Sequence, residues 1–417
     1  MGNSEPNSEQ NSKTKRRKFR LTSIVLWLVF ITLAIIYLLT GSQSAQVNET
    51  IILIRAAEEL DKDVSEFSKS DSLKITELDL SRTVISSLKP LRKFPNLKKL
   101  DLSDSQVSLD KNMPNWMRIL AKTGIYDPSK RNLIDLGPLR KLPHLESLVL
   151  REANARNLDA LVHLSNLKEL NLQNTHLTDL DFLKGLIKLE KLDLSGTEID
   201  DLSPLRNLKN LSELYLNSTK VANLEPLKNL TNLQTVYLYG TNISDLKPIS
   251  NLRNIQTLGL NISCLNNIEP INGLINLKKL DLAGTQVSNL EALRNLTNLE
   301  ELWINNYVIS DLEPISNLIN LRQLSIGGTL ISDLSPLKNL RNLQELSISN
   351  KNISDIEPIK YLVNLRTLSL SSTSVSNIEP IKVLKSLRML SLRRCNYLTV
   401  EQIEDLQRAL PDCAIMK

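Results

Sequence analysis

The sequence predicts an α/β solenoid, in which similar coils stack and each adds one short strand to a continuous parallel β-sheet. Two observations lead to this prediction. The chain has 417 residues, more than one hydrophobic core usually supports. Its leucines also recur at a fixed interval of 22 residues over most of the length. Apolar residues make up 41% and charged residues 23%, which indicates an ordered chain and excludes a disordered one.

The interval is clearest in the first apolar residue of each L-x-x-L-x-L unit. Twelve units start at 22-residue intervals from Leu145 onward, and two earlier units start at Ile75 and Leu97. The step from Leu97 to Leu145 is 48 residues, so this repeat contains an insertion of 26 residues, at about 106–131. The sequence therefore predicts about fourteen coils over residues 73–398.

Each position of a unit has a physical role, as the unit LDLSGTEIDDLSPLRNLKNL shows. Leu192 and Leu194 alternate with polar residues, as in a short strand with one buried face. Thr197 is expected to bond the backbone of a neighbouring coil, where the chain turns. Asp201 is expected to cap the next turn, and Pro204 suits the first position of a short helical turn.

These units resemble the leucine-rich repeat superfamily, and most closely the 22-residue internalin-type repeats of bacterial surface proteins. The matching pattern is N-L-x-x-L-x-L-x-x-T-x-I-x-D-L-x-P-L-x-x-L, and it covers about residues 73–398. The resemblance implies a horseshoe with a parallel sheet on its concave side and short 3-10 or helical turns on its convex side. Because the superfamily binds many unrelated partners, the resemblance implies a binding protein without naming its ligand.

Both ends of the solenoid are predicted to be covered by helices, because terminal coils expose apolar edges. Residues 41–72 are interpreted as a linker and an N-terminal cap helix, with the helix at 50–66. Residues 399–417 are interpreted as a C-terminal cap, in which Thr399 begins a helix and 413–415 add a final strand.

Residues 1–20 form a basic tail, and residues 21–40 are predicted to be a transmembrane signal-anchor helix. The nineteen residues from Leu21 to Leu39 carry no charge and suit the thickness of a bilayer. The cluster KTKRRKFR precedes them, so the positive-inside rule places the N-terminus in the cytoplasm and the repeats outside, at the cell surface or in the periplasm. An uncleaved anchor is favoured over a cleaved signal peptide, which remains the alternative.

Three histidines leave few residues for a histidine-based metal site or a catalytic triad. The histidines are expected at surface or boundary positions of the repeat: His144, His163 and His176. We find no catalytic constellation, cofactor motif or metal motif, so the prediction is a non-enzymatic protein. The excess of basic over acidic residues lies in the N-terminal tail and not in the repeats, which argues against a nucleic-acid partner.

The candidate binding site lies on the predicted concave face. Side chains that alternate with the buried leucines face outward there, and five of the nine Tyr and Trp residues after the membrane segment fall among them or just beyond a strand. Tyr and Trp are favoured anchors of protein interfaces, although strand propensity is an alternative explanation. The two glutamates beside them are expected to form acidic edges. The candidate residues are Glu213, Tyr215, Tyr237, Tyr239, Glu301, Trp303 and Tyr307.

The leading functional hypothesis is a binding ectodomain tethered to the membrane through residues 21–39, acting as an adhesin or envelope scaffold for a protein or glycan ligand. A cytoplasmic tail of ~20 residues is too short for a signalling domain. The alternative is an intracellular regulatory or scaffolding subunit that docks on a phosphatase. The insertion is expected to be a flap on the solenoid flank. Cys395 and Cys413 bracket the closing helix, and two buried thiols are favoured over a disulfide.

Overall fold

The computed structural model describes residues 45–417, except residues 84, 86, 105–132 and 263. The basic tail, the predicted membrane helix and the insertion therefore lie outside the described residues. In the part of the chain that is described, no helix is both long enough and apolar enough to cross a bilayer.

One parallel sheet extends through the whole described chain. Fifteen of the seventeen strands in this part form it, and they lie in chain order. The other two, β3 and β5, pair with each other. The strands are β1 (Glu77–Asp79), β2 (Lys99–Asp101), β3 (Ile134–Asp135), β4 (Ser147–Val149), β5 (Ala155–Arg156), β6 (Glu169–Asn171), β7 (Lys191–Asp193), β8 (Glu213–Tyr215), β9 (Thr235–Tyr237), β10 (Thr257–Gly259), β11 (Lys279–Asp281), β12 (Glu301–Trp303), β13 (Gln323–Gly327), β14 (Glu345–Ser349), β15 (Thr367–Ser369), β16 (Met389–Ser391) and β17 (Ala414–Met416).

The register repeats from strand to strand, which confirms the predicted parallel-sheet solenoid. In β8 and β9, Glu213 lies opposite Thr235 and Tyr215 lies opposite Tyr237, a shift of one 22-residue repeat. Equivalent residues therefore form columns across the sheet. We call the outward columns at the first, third and fifth strand positions the sheet face. The resemblance to leucine-rich repeats implies that this is the concave face.

The insertion does not interrupt the main sheet. Strand β2 pairs directly with β4, although Leu100 and its partner Leu148 are separated by 48 residues. The chain around the insertion therefore contributes one coil, as the spacing predicts. Strand β3 begins shortly after the insertion and pairs with β5 outside the main sheet.

A 3-10 turn follows the strand in every coil but the last, and the side chains act there largely as predicted. The Oδ1 atom of Asp201 accepts a 2.8 Å hydrogen bond from the Ser203 N–H, and Pro204 lies in the first turn of the 3-10 helix that follows. The 3-10 helices are Val64–Glu66, Lys89–Lys93, Gly137–Lys141, Leu158–His163, Asp181–Gly185, Ser203–Asn207, Glu225–Leu227, Lys247–Ile249, Glu269–Gly273, Glu291–Leu293, Glu313–Ile315, Ser335–Asn339, Glu357–Tyr361 and Glu379–Val383.

The core lies between the sheet and these turns and continues from coil to coil. Leu192 of β7, Leu194 just after it and Leu205 of the turn are fully buried. The predicted role of Thr197 was wrong in one respect. Its Oγ1 donates to the Leu194 carbonyl of its own coil, at 2.6 Å, because the chain reverses there and brings that carbonyl within reach. The hydroxyl thus closes the turn within its own coil, while backbone bonds such as the one from the Gly196 N–H to the Asn217 carbonyl join neighbouring coils there.

Coils of two kinds alternate in the C-terminal half. Gly240, Gly284 and Gly328 are 44 residues apart and have φ between +64° and +72°, a left-handed conformation that glycine adopts without strain. In two of the intervening coils a buried asparagine occupies the glycine position, one residue before the position at which other coils have threonine. Asn306 donates to the Val287 carbonyl at 2.8 Å, and Asn350 donates to an equivalent carbonyl at 2.6 Å.

An asparagine ladder joins successive coils at the edge that leads into the strands. Each Nδ2 donates to a backbone carbonyl 23 residues earlier; Asn298, for example, bonds the Ile275 carbonyl at 2.9 Å. The bond satisfies a carbonyl that the turn leaves unpaired. The ladder consists of Asn96, Asn166, Asn210, Asn232, Asn254, Asn276, Asn298, Asn320, Asn342 and Asn364.

Helices lie at both ends of the described chain. Helix α1 is Ala45–Glu58 and the short α2 is Lys69–Ser72. Helix α1 starts and ends earlier than the predicted 50–66. Its early end follows from the turn at Asp61, whose φ of +51° is incompatible with a continuing helix. Helix α3 is Val400–Ala409, and it begins with a capping box between Thr399 and Gln402.

Candidate functional site

The third column of the sheet face carries aromatic side chains at its centre. The register places these side chains side by side because each strand pairs with the next without a shift in position. From β7 to β12 the column reads Asp193, Tyr215, Tyr237, Gly259, Asp281 and Trp303.

Three of the predicted site residues form one cluster. The rings of Tyr215 and Tyr237 are stacked, with centroids 5.5 Å apart and planes 12° apart. Tyr239 occupies the fifth column, and its ring meets Tyr237 edge-on, with centroids 5.3 Å apart and planes at 72°. Both are favourable geometries for aromatic pairs. All three side chains are half-buried, so the rings support one another as well as facing outward.

Hydrogen bonds hold the two outer phenols in place. The Tyr215 hydroxyl donates to Glu213 Oε2 at 2.9 Å, and the Tyr239 hydroxyl donates to Asp281 Oδ2 at 2.9 Å. Burial and the adjacent carboxylate raise the pKa of Tyr215 and of Tyr239 well above the ordinary value for a phenol. Both phenols therefore remain neutral donors at physiological pH.

Gly259 provides the space into which two rings fold. A Cβ atom at this position would lie 2.4 Å from Tyr237 Cδ1 and 2.5 Å from Tyr239 Cε1, closer than carbon atoms approach without a clash. The missing side chain therefore lets the Tyr239 ring cross β10 and reach Asp281. Gly259 and Asp281 belong to the site, although the sequence argument used only the aromatic and glutamate positions.

The two predicted glutamates are paired with lysines. Glu213 forms a 2.9 Å salt bridge with Lys191, and Glu301 forms a 2.7 Å salt bridge with Lys279. Burial favours the neutral form of Glu213, but the bonds from Lys191 and Tyr215 outweigh it and lower the carboxyl pKa. The prediction of acidic edges was wrong, because a lysine on the preceding strand neutralises each carboxylate. The Lys191 Nζ also lies 5.6 Å from the Tyr215 ring centroid.

The remaining two candidates stand apart from the tyrosine cluster. Trp303 lies three strands beyond Tyr237 in the same column, at ~15 Å by the spacing of strands. Tyr307 follows β12 and is 82% exposed. It occupies the position at which other coils have threonine, while the preceding residue, Asn306, bonds the Val287 carbonyl of the previous coil. A Cβ atom at Gly328 would lie 3.1 Å from the Tyr307 ring, so this ring rests beside the next coil.

Other chemistry is sparse in the described chain. The three histidines are exposed, and no group of His, Cys, Asp or Glu among the described residues is arranged to hold a metal ion. The three cysteines are unpaired thiols, with Cys395 and Cys413 buried and Cys264 exposed.

Comparison with known proteins identifies the repeats. A family model described as "Leucine Rich repeats (2 copies)" matches residues 165–207, 187–229, 275–317, 319–361 and 363–408. No curated protein matches the chain significantly.

Solved structures with similar folds include bacterial internalins. An internalin from Listeria monocytogenes, InlF, is 24% identical, with 88% of this chain and 94% of that chain covered and a TM-score of 0.65. An internalin C2 from the same organism is 31% identical, with 52% of this chain and 83% of that chain covered and a TM-score of 0.40. A more distant structure, the Drosophila Toll–Spatzle complex, is 16% identical, with 79% of this chain and 48% of that chain covered and a TM-score of 0.58. The matched repeats belong to the leucine-rich repeat superfamily, and the fold of the chain is similar to that of the internalin InlF.

Proposed function

We propose that this protein binds a partner protein through the sheet face, with the Tyr215–Tyr237–Tyr239 cluster as the anchor. The observation that supports the proposal is the order of the cluster, whose rings contact one another and whose outer hydroxyls are bonded to Glu213 and Asp281. Rings already held in place lose little conformational entropy on binding. Tyr is also among the residues most often found at the energetic centre of protein interfaces.

A protein is a better ligand for this cluster than a glycan or a nucleic acid. The Tyr215 and Tyr239 hydroxyls donate within the chain, so the rings offer apolar surface and few free donors for sugar hydroxyls. The nearby cations Lys191 and Lys279 are paired with glutamates, which leaves little positive charge for phosphates. Among the similar structures, Toll is solved in complex with the protein Spatzle, which is a precedent for a protein ligand on this fold.

The affinity for the partner tests the proposal. The partner is first identified by proximity labelling from the full-length chain in its own membrane, and its affinity is then measured by calorimetry. Tyr237→Ala should weaken binding by about 2 kcal/mol, or about 30-fold, because it removes the ring that contacts both neighbours. Trp303→Ala should weaken binding only for a partner that spans ~15 Å of the column.

Tyr361 provides the matched control. It ends a 3-10 turn on the opposite side of the coil from the strands and is 45% exposed, so Tyr361→Ala should leave binding unchanged. Equal affinities for the parent, Tyr237→Ala and Tyr361→Ala would remove the tyrosine cluster from the binding site. Selective capture of nucleic acid or glycan instead of protein would contradict the assigned ligand class.

The membrane attachment is a second part of the proposal. A single helix at 21–39 would tether the repeats outside the cell, as an adhesin or envelope scaffold, and its support is the uncharged run preceded by KTKRRKFR. Protease added to spheroplasts should degrade the repeats and spare a cytoplasmic marker. Protection of the repeats would favour the alternative, an intracellular regulatory subunit of the phosphatase-docking type.

A further inference from the structure

A polar groove lies at the edge of the C-terminal coils, on residues that the tyrosine cluster does not use. It extends from the coil of Lys278 to that of Ser386 and encloses about 590 Å³. Every side chain that lines it is polar or charged. Binding pockets usually have a largely apolar lining with a few polar groups, so this groove is unsuited to an apolar ligand.

One wall of the groove carries cations at alternate coils. Each residue of this wall immediately precedes its strand, so neighbours are ~5 Å apart and alternate residues are ~10 Å apart. Arg322 lies 3.7 Å from Glu300. Lys278 and Arg366 form no ion pair with any described residue. The wall consists of Lys278, Glu300, Arg322, Gln344 and Arg366.

The facing wall is part of the asparagine ladder. Asn298, Asn320, Asn342 and Asn364 each donate through Nδ2 to a backbone carbonyl of the preceding coil, at 2.8–2.9 Å. Because Nδ2 is bonded, the amide orientation is fixed. Each Oδ1 is left as an acceptor without a described partner, at the same ~5 Å interval. The groove therefore combines a row of acceptors with a row of cations.

We propose that this groove binds an extended acidic polysaccharide. Carboxylate or sulfate groups would pair with Lys278, Arg322 and Arg366, and sugar hydroxyls would bond the asparagine and glutamine amides. A neutral sugar would leave the cations unused, and the groove has no aromatic ring on which it could stack. An acidic peptide is less suitable, because protein interfaces gain most affinity from apolar and aromatic anchors, which this groove does not offer.

The test uses the full-length chain and four polymers of known chemistry. Binding to immobilised polygalacturonate and dextran sulfate is compared with binding to neutral dextran and to polyglutamate. The parent protein should bind one or both acidic polysaccharides, with an affinity that falls as salt is raised, and should not bind dextran. The polymer that binds more tightly shows whether carboxylate or sulfate is preferred. The double variant R322Q/R366Q should weaken this binding by roughly tenfold or more.

A second double variant tests whether binding depends on the groove or only on the total positive charge of the protein. R253Q/R341Q removes the same charge from exposed arginines that do not line the groove, so its affinity should stay within about twofold of the parent. Tyr237→Ala should also leave this binding unchanged, which distinguishes the groove from the tyrosine cluster. Equal losses in the two arginine pairs, no loss in R322Q/R366Q, or equally tight binding of polyglutamate would overturn the proposal.

Discussion

Tyr239 and Asp281 are 42 residues apart in the sequence, and a 2.9 Å hydrogen bond joins the phenol Oη to the carboxylate Oδ2. The bond passes over β10, the strand between them, where Gly259 has no side chain to obstruct the ring. The arrangement of the tyrosine cluster therefore depends on a residue that makes no polar side-chain contact. This dependence leads to the first prediction.

Gly259→Ala should disorder the tyrosine cluster and destabilise the protein by about 1–3 kcal/mol, as overpacking does. The added Cβ atom would lie within 2.5 Å of the rings of Tyr237 and Tyr239, so both rings must move and the bond to Asp281 must break. Urea unfolding measures the stability, and near-ultraviolet circular dichroism measures the order of the rings.

Gly273→Ala is the control for this change. Its added Cβ atom would lie 3.5 Å from the Ser250 carbonyl oxygen, an ordinary contact, so stability should stay the same or rise slightly. An unchanged aromatic spectrum in Gly259→Ala would show that the rings do not depend on Gly259.

The raised pKa values of Tyr215 and Tyr239 predict a loss of stability in alkali. The native state holds these protons more tightly than the unfolded state, whose phenols have a pKa of about 10. Their contribution to stability is therefore complete below pH ~10 and is lost as pH rises through the raised native pKa. The free energy of unfolding should fall less steeply above pH ~10 in Y215F/Y239F than in the parent. The same slope in both proteins would contradict the pKa shifts.

Asn306→Ala should destabilise the protein by about 2 kcal/mol or more. The side chain is buried, donates to the Val287 carbonyl and accepts from the Ile309 N–H, so its removal leaves buried groups unpaired. Asn298→Ala removes one exposed bond of the asparagine ladder and should cost less, about 1 kcal/mol. Tyr307→Ala should cost almost nothing, because that ring is mostly exposed. Urea unfolding of the three variants checks this order, and a larger cost for Asn298→Ala would reverse it.

The cysteines should differ in reactivity. Cys264 is exposed and should react with a thiol reagent in the native protein, whereas Cys395 and Cys413 are buried and should not. Burial also raises the pKa of the Cys413 thiol, which reduces the reactive thiolate. All three should be alkylated after denaturation without a reductant. Mass spectrometry that finds fewer than three labels would indicate a disulfide.

The 22-residue period accounts for most of what the sequence predicts. A fixed period assigns each residue to a column, so the pairing of Tyr215 with Tyr237 follows directly from their spacing of 22. The burial of the leucines and the hydrogen bond from the Ser203 N–H to Asp201 follow in the same way, because each depends only on the position within one coil.

Contacts that depend on side-chain direction are not predictable from the period. The lean of Tyr239 toward Asp281 depends on the space above Gly259, and the pairing of Glu213 with Lys191 depends on which of two neighbouring strands the carboxylate faces. The boundaries of helix α1 were missed for a different reason, since residues before the first coil have no repeat to fix them.

Coils with a glycine and coils with a buried asparagine alternate. This alternation restricts which changes in the number of repeats the fold tolerates. Loss of the one 22-residue coil that carries Asn306 would place the glycine coils of Gly284 and Gly328 in contact and remove the bond that Asn306 makes to the Val287 carbonyl. A step of 44 residues preserves the alternation and lengthens the sheet by ~10 Å. Recombination among the C-terminal repeats should therefore be tolerated in pairs of coils.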